Sequence, residues 1–148
     1  MIKLTDEMRR LINQARANET PCMMATSSAD GVPNAGFRGT MMVLDEESLA
    51  YRERGPLSAV RQLEENPRVV VLFRSPGQNG GQDVGWKFRC TAAVYRNGPM
   101  FQQVMERLVA EGLLREADGT GTAVVLRVDQ ILTLFGEILQ ERVPDLNW

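Results

Sequence analysis

Residues 22–52 read CMMATSSADGVPNAGFRGTMMVLDEESLAYR, and this stretch decides the fold. Asp30-Gly31 is a strong hairpin-turn signal, and the acidic run at 45–47 marks a second turn. Between the two turns the chain is extended, with bends near Gly36 and Gly39. Three strands are therefore predicted, at residues 22–27, 33–44 and 48–52. Short strands joined by tight turns favour antiparallel β-structure.

Segments of helical periodicity lie on both sides of this stretch. Residues 5–18 form a predicted N-terminal helix with Thr5 as its N-cap, because a stripe of apolar residues recurs at helical spacing. The stripe consists of Met8, Leu11, Ile12 and Ala15. Two further helices are predicted at residues 57–65, ended by Asn66-Pro67, and at 99–111, where proline occupies the first position.

The rest of the chain adds strands without a regular alternation of strand and helix. Strands are predicted at residues 68–74, 85–96 and 122–135, with a loop at 75–84 and a C-terminal tail at 136–148. In the second of these strands, one face carries Trp86, Phe88, Cys90, Ala92 and Val94, and the other carries Lys87, Arg89, Thr91 and Tyr95. The pattern predicts a single, mainly β domain over 1–148. Its strands between 22 and 135 would form an antiparallel barrel with peripheral helices.

The composition is that of one ordinary globular domain. The chain has 148 residues, of which 43% are hydrophobic, and its net charge is −2. A charge so close to neutrality argues against a nucleic-acid or membrane-surface partner. The longest apolar run, at 69–73, is too short to span a bilayer, and no signal-peptide pattern is present. We therefore expect a cytoplasmic protein with reduced thiols.

The residue types restrict the chemistry that the chain can perform. It has no histidine, which excludes Ser-His and Cys-His nucleophile pairs and histidine metal sites. Its two cysteines, Cys22 and Cys90, cannot form a four-cysteine zinc site, and Cys90 lies on an apolar strand face typical of a core thiol. The sequence identifies no metal site and no catalytic residue. Any redox chemistry would come from a borrowed cofactor.

Three groups of residues could bind an anion, and each also has a plain structural interpretation. Arg38-Gly39-Thr40 combines a guanidinium, a hydroxyl and glycine-exposed N–H groups, or is a strand with a solvent-facing arginine. Arg52 and Arg54 precede a predicted helix start that carries Ser58, or are ordinary loop charges. The third group is the polar strand face of Lys87, Arg89 and Thr91, or simply an exposed sheet surface.

The order of these motifs resembles that of a known family. The motifs are Asp30-Gly31-Val32-Pro33-Asn34, Arg38-Gly39-Thr40, Leu49-Ala50-Tyr51, Asn66-Pro67-Arg68-Val69 and Phe88-Arg89-Cys90-Thr91-Ala92. In this order, and after an N-terminal helix, they resemble the pyridoxamine 5′-phosphate oxidase-like family of flavin-binding split barrels. The resemblance extends from about residue 5 to residue 135.

The resemblance implies a six-stranded antiparallel split β-barrel that forms a homodimer, with FMN in a groove between the two subunits. It implies that one set of residues contacts the flavin and its phosphate, and that another lies at the strand ends beside the ring. The first set is Arg38, Gly39, Thr40 and Ser58, and the second is Tyr51 and Arg52. Trp86 and Lys87 correspond approximately to the family's strand that reaches the groove.

The chain also departs from the family oxidases. They carry Ser-Arg-Lys before the short helix, where residues 57–59 here read Leu-Ser-Ala, and their C-terminal histidine has no match. Oxidation of pyridoxamine phosphate is therefore not expected, and phosphate binding could rely on Arg54. The expectation is an FMN-binding oxidoreductase acting on an unidentified small molecule. The alternatives are a non-catalytic flavin-binding or electron-carrier module, a cofactor-free interaction dimer, and a deazaflavin or haem in place of FMN.

Overall fold

The structure is a computed structural model that describes residues 1–77 and 80–148. The described residues form three helices, α1 (Asp6–Asn13), α2 (Leu57–Glu65) and α3 (Gly98–Ala110). They also form eight strands, β1 (Cys22–Ser27), β2 (Pro33–Arg38), β3 (Met42–Val43), β4 (Ser48–Glu53), β5 (Arg68–Ser75), β6 (Val84–Tyr95), β7 (Thr122–Leu132) and β8 (Ile138–Glu141).

The strands form one curled antiparallel sheet in the order β2-β1-β5-β6-β7-β4-β3. β8 extends the sheet by pairing with the C-terminal part of β7. Within the described residues β2 and β3, at the two ends of the order, do not pair, so the barrel stays open along one side. The prediction of a mainly β, antiparallel split barrel is confirmed. The strand count exceeds the predicted six because the strand predicted over 33–44 is divided into β2 and β3, and because β8 is an additional short strand.

The interior of the barrel is filled by one face of its central strands. β1, β5 and β6 alternate, so that their inward residues are buried: Cys22, Met24, Val69, Val71, Phe73, Phe88 and Cys90. The apolar stripe of α1 packs against the same core through Met8 and Ile12. The alternation predicted for residues 85–96 is confirmed, and its polar side chains accordingly lie on the outer face of the sheet.

A second core lies outside the barrel, beneath α3. Phe101, Val104, Met105 and Leu108 of that helix are buried against β3, β4 and β7. The small residues Ala50 and Ala123 allow the helix to approach the sheet closely. The outward residues Met23, Val70 and Leu72 of β1 and β5 belong to neither core and are half-buried.

Several predicted boundaries are wrong for identifiable reasons. The helix predicted over 5–18 ends at Asn13, whose buried side-chain oxygen accepts a hydrogen bond from the Val43 backbone N–H at 2.8 Å. The strand predicted over 33–44 is interrupted because Gly39 and Thr40 form a turn. The loop predicted over 75–84 is shorter, since its ends belong to β5 and β6, and its residues 78 and 79 lie outside the described residues.

The C-terminal region differs most from the prediction. The strand predicted over 122–135 ends at Leu132, because Thr133 Oγ1 accepts the backbone N–H groups of Phe135 and Glu137 and so closes a turn. The predicted tail at 136–148 then contains β8. No helix in the described part of the chain is both long and apolar enough to cross a membrane.

Candidate functional site

The structure places the nine predicted site residues in three separate regions. The first region, at the junction of β2 and β4, contains Arg38, Gly39, Thr40, Tyr51 and Arg52. The second, at the start of α2, contains Arg54 and Ser58. The third is β6, with Trp86 and Lys87. The regions differ in whether their charged groups are already paired within the fold.

Arg38 is engaged in an internal ion pair. Its position opposite Cys22 in the β1–β2 register turns its side chain toward the barrel interior. There Nε lies 3.2 Å from Oε2 of Glu53, and the two side chains are only 17% and 9% exposed. The guanidinium carbon also lies 5.7 Å from the centre of the Tyr51 ring. The Arg38 charge is therefore compensated inside the protein.

Tyr51 is fully buried beside this pair. Its hydroxyl has no hydrogen-bond partner among the described residues. Burial, reinforced by the Glu53 carboxylate and opposed by Arg38, raises the pKa of Tyr51 far above its ordinary value. The phenol therefore stays protonated at physiological pH and cannot act as a general base.

Thr40 and Arg52 are also used structurally. Thr40 Oγ1 accepts the Arg52 backbone N–H at 3.0 Å and donates to the Arg52 carbonyl at 3.4 Å, which ties the turn after β2 to β4. The Arg52 side chain, only 6% exposed, pairs through Nη1 with Asp118 Oδ1 at 3.3 Å. Gly39 lies in the same turn, where an added Cβ would lie 3.4 Å from Cδ of Arg16.

The start of α2 forms one wall of an open groove of about 510 Å³, called here the helix groove. Its lining residues are Glu53, Arg54, Gly55, Leu57, Val60, Thr120, Gly121 and Thr122. Arg54 is exposed and has no ion pair among the described residues. α2 begins after Pro56 without a side-chain cap, and Ser58 in its first turn is exposed. The helix groove thus combines a free guanidinium with uncapped helix N–H groups, and the exposed Ser58 hydroxyl lies in the first turn of the same helix.

The two predicted residues of β6 point to opposite sides of the sheet. Trp86 faces inward and packs against Phe73 and Phe88, with ring centres 6.0 and 6.4 Å apart. Lys87 faces outward into a groove of about 330 Å³, called here the outer groove. The outer groove has an apolar floor and a basic edge, and its lining residues are Met23, Ala25, Val70, Leu72, Lys87 and Arg89. Lys87 has no ion pair in the part of the chain that the structure describes.

Residues that the sequence did not single out control the charge in these regions. Glu53 neutralises Arg38, and its other oxygen accepts the Gly55 backbone N–H at 3.0 Å. Asp118 neutralises Arg52, and hydrogen bonds from Thr120 lower the pKa of that carboxyl. The acidic partner of each arginine follows from strand pairing and loop packing, so no local sequence signal marks it.

Both thiols are core residues. Cys22 and Cys90 are free and buried. Burial raises the pKa of Cys22 to about 12 and that of Cys90 well above its ordinary value. The interpretation of Cys90 as an inert core thiol is confirmed. Among the described residues, no cluster of His, Cys, Asp or Glu side chains could hold a metal ion.

Comparison with known proteins identifies a family whose match includes the residues of both grooves. The sequence profile of the family described as "Pyridoxamine 5′-phosphate oxidase" matches residues 4–135. An uncharacterized protein from Methanocaldococcus jannaschii is 27% identical over 136 residues, which is 90% of this chain and 83% of that protein. The match to the family thus includes the helix groove and the outer groove, but not the C-terminal residues beyond 135.

Solved structures share the fold. HupZ from Group A Streptococcus superposes with a TM-score of 0.72 at 24% identity, covering 93% of this chain and 99% of that chain. An FMN-binding protein from Syntrophomonas wolfei gives a TM-score of 0.62 at 17% identity, covering 87% and 90%. The heme storage protein HutZ from Vibrio cholerae gives 0.60 at 20% identity, covering 84% and 92%. These similarities show the same architecture.

Proposed function

The chain belongs to the pyridoxamine 5′-phosphate oxidase family, and from this premise we propose that it binds FMN as a homodimer and uses the flavin in a redox reaction on a small molecule. The observation that carries the proposal is the helix groove. There Arg54 stands without an acidic partner among the described residues, at an uncapped helix N-terminus. The FMN-binding protein from Syntrophomonas wolfei, which has the same fold, supports the choice of cofactor.

The residues of the helix groove fit the phosphate of FMN. The first N–H groups of α2 have no side-chain cap, and the partial positive charge of a helix N-terminus favours an anion. Arg54 and the Ser58 hydroxyl would add a charge-assisted and a neutral hydrogen bond. Arg38 and Arg52, in contrast, already have carboxylate partners. We therefore assign the phosphate contact to Arg54 and Ser58.

The outer face of the sheet supports the proposed homodimer. Phe37 is 64% exposed there, beside the half-buried Met23, Val70 and Leu72. An apolar patch of this kind marks an interaction surface. A second copy of the chain would cover the patch and leave Lys87 at its margin.

FMN supplies the electron and hydride chemistry, and the protein supplies binding and a dry environment. Haem is a poorer fit, because it needs an axial ligand such as His, Cys or Tyr. The chain has no histidine, both thiols and Tyr51 are fully buried in the core, and Tyr95 is the one partly exposed side chain of these types among the described residues. A deazaflavin would use the same phosphate contacts as FMN. The absorption spectrum of the bound ring distinguishes the two cofactors.

The experiment begins with the absorption spectrum of freshly purified protein and the mass of whatever compound heat releases. Protein freed of ligand is then titrated with FMN and with riboflavin, which lacks the phosphate. Arg54→Ala should weaken FMN binding roughly tenfold or more, as expected for one lost charge-assisted hydrogen bond. It should leave riboflavin binding unchanged.

Arg61→Ala provides the matched control, since Arg61 is an exposed arginine on the same helix that does not line the helix groove. This variant should bind FMN like the wild type. Failure of the wild type to bind FMN would refute the proposed function. Equal loss of FMN and riboflavin affinity in Arg54→Ala would refute the phosphate assignment alone. Reduction of bound flavin by a nicotinamide donor then separates an enzyme from an electron carrier.

A further inference from the structure

Glu53, the last residue of β4, lies between the helix groove and the interior of the barrel. Its buried side chain lines the helix groove. On the groove side, Oε1 accepts the Gly55 backbone N–H at 3.0 Å. On the interior side, Oε2 lies 3.2 Å from Arg38 Nε in an ion pair. One carboxylate therefore contacts the groove and the interior at the same time.

On the groove side, Glu53 occupies a backbone donor that an anionic ligand would use. The supply of such donors near the start of α2 is reduced, because Pro56 has no N–H and the Ala59 N–H bonds to the Pro56 carbonyl at 3.0 Å. The Gly55 contact is also close, since an added Cβ at Gly55 would lie 2.7 Å from Glu53 Oε1. The protein thus places an anion of its own at this end of the groove.

On the interior side, three buried polar atoms have no hydrogen-bond partner among the described residues. They are Tyr51 Oη, Arg38 Nε and Glu53 Oε2. Tyr51 and Glu53 are two residues apart in β4, so their side chains share one face of the strand. Burial raises the pKa of Tyr51, which keeps its hydroxyl a donor. Buried polar groups are normally hydrogen-bonded, so unused donors beside a carboxylate require an explanation.

A bound phosphate and the Glu53 carboxylate would compete for the same N–H. Both are negatively charged, and their repulsion is strong where little water screens it. Repulsion would offset much of the attraction that Arg54 offers to the phosphate. The carboxylate must therefore leave the groove for the phosphate to bind tightly, and the unused donors of Tyr51 and Arg38 lie on its interior side.

We propose that Glu53 is an internal competitor for the ligand phosphate, bound to the Gly55 N–H in the empty helix groove and turned to Tyr51 Oη and Arg38 Nε when phosphate is bound. The inference rests on the phosphate site of the proposed function and adds the regulation of its affinity. Glu53 is then a positioning residue, because the measured dissociation constant includes the free energy of moving its carboxylate. A ligand without an anionic end leaves Glu53 in place.

Tyr51→Phe separates this role from a purely structural one. In the empty protein the hydroxyl has no partner among the described residues, so its removal should leave Tm unchanged or raise it. In the bound state the hydroxyl would donate to a carboxylate. Its loss should therefore weaken FMN binding roughly tenfold while leaving riboflavin binding unchanged.

Glu53→Gln should have the opposite effect on affinity. A neutral amide oxygen is a weaker acceptor than a carboxylate and does not repel the phosphate, so FMN binding should tighten roughly fivefold or more. Riboflavin binding should not change, and Tyr51→Phe should have little further effect in this background. Glu65→Gln is the matched control, because it removes the same charge from an exposed residue at the other end of α2 and should bind FMN like the wild type.

Inorganic phosphate tests the inference without a flavin. In proton–nitrogen correlation spectra of the intact protein, the Gly55 amide resonance should move saturably with phosphate as the N–H changes its acceptor. The side-chain carboxyl carbon resonance of Glu53 should move with the same midpoint. In Glu53→Gln the Gly55 midpoint should lie at a lower phosphate concentration, and in Tyr51→Phe at a higher one.

Two results would overturn the inference. One is the absence of saturable phosphate binding, or binding that leaves the Gly55 and Glu53 resonances unmoved. The other is unchanged phosphate affinity in Glu53→Gln and Tyr51→Phe when circular dichroism shows that both variants are folded. Phosphate binding with the expected shifts but without FMN binding would refute the proposed function and uphold the role of Glu53. FMN binding that neither variant alters would refute the role of Glu53 alone.

Discussion

Replacing Arg38 should destabilise the fold, because its charge neutralises a buried carboxylate. Glu53 Oε1 accepts the Gly55 N–H at 3.0 Å, whereas Oε2 lies 3.2 Å from Arg38 Nε in an ion pair and accepts no hydrogen bond from the described residues. In Arg38→Met the apolar stem is largely kept and the charge is lost. Glu53 would then remain buried with one hydrogen bond and no counter-charge.

The magnitude follows from the burial of the pair. Removing one partner of a buried ion pair costs about 3–5 kcal/mol. The lower end applies here, because Arg38 is still 17% exposed and the Gly55 hydrogen bond remains. We expect a loss of about 3 kcal/mol in the free energy of unfolding. For a chain of this length that corresponds to a decrease in Tm of roughly 6–12 °C.

The assay is a double-mutant cycle measured by urea unfolding and thermal melts. Glu53→Gln keeps an oxygen for the Gly55 N–H but removes the negative charge. The double variant Arg38→Met, Glu53→Gln should therefore recover about 2 kcal/mol of the loss seen in Arg38→Met alone. With a urea m-value of about 2 kcal/mol/M, the single variant shifts the midpoint by about 1.5 M.

The resemblance to the family predicts a different outcome, since it makes Arg38 a flavin contact. A direct contact would lower FMN affinity about tenfold or more in Arg38→Met and leave Tm unchanged. A melt within 2 °C of the wild type, together with no rescue by Glu53→Gln, would therefore refute the structural role. Arg38 would then be assigned to the cofactor site, as the resemblance to the family implies.

Three further predictions concern the core. A thiol reagent at pH 8 should modify neither Cys22 nor Cys90 in the native protein and both in denaturant, because burial raises the pKa of each thiol. Because the pKa values of Cys22 and Tyr51 are raised in the folded state, these groups lose their protons at lower pH in the unfolded chain than in the folded protein. Stability should therefore fall as pH rises above about 9, by up to 1.4 kcal/mol per pH unit per group, and Cys22→Ala should reduce the slope in urea titrations at different pH values. Gly85→Ala should lower Tm by several degrees or prevent folding, because an added Cβ would lie 2.3 Å from the Phe73 carbonyl oxygen.

The elements with strong local signals could be predicted from the sequence. β1 and α2 have the predicted bounds, Cys22–Ser27 and Leu57–Glu65. A hairpin signal follows the first, and Asn66-Pro67 ends the second, so in both cases the chain itself sets the boundary. The inward and outward faces of β6 were predictable for a similar reason, because a period of two is visible within one strand.

Features that depend on distant partners could not be predicted in this way. α1 ends at Asn13, and the side chain of that residue accepts a hydrogen bond from Val43, which is 30 residues away. β8 exists because β7 offers it an edge. The direction of the Arg38 side chain follows from its pairing with Cys22, and a shift of one residue in that register would have turned it to the outer face.

The same dependence on distant partners explains why the sequence alone could not separate structural arginines from ligand-binding ones. The chain has 17 basic residues, and fifteen of them are Arg. A cation enclosed by the fold must have a counter-charge, as Arg38 and Arg52 have, because desolvating an isolated charge is costly. A cation that serves a ligand must lack one until the ligand arrives, as Arg54 and Lys87 do among the described residues. Only the folded chain distinguishes these cases, and ligand binding should therefore be tested first at Arg54 in the helix groove.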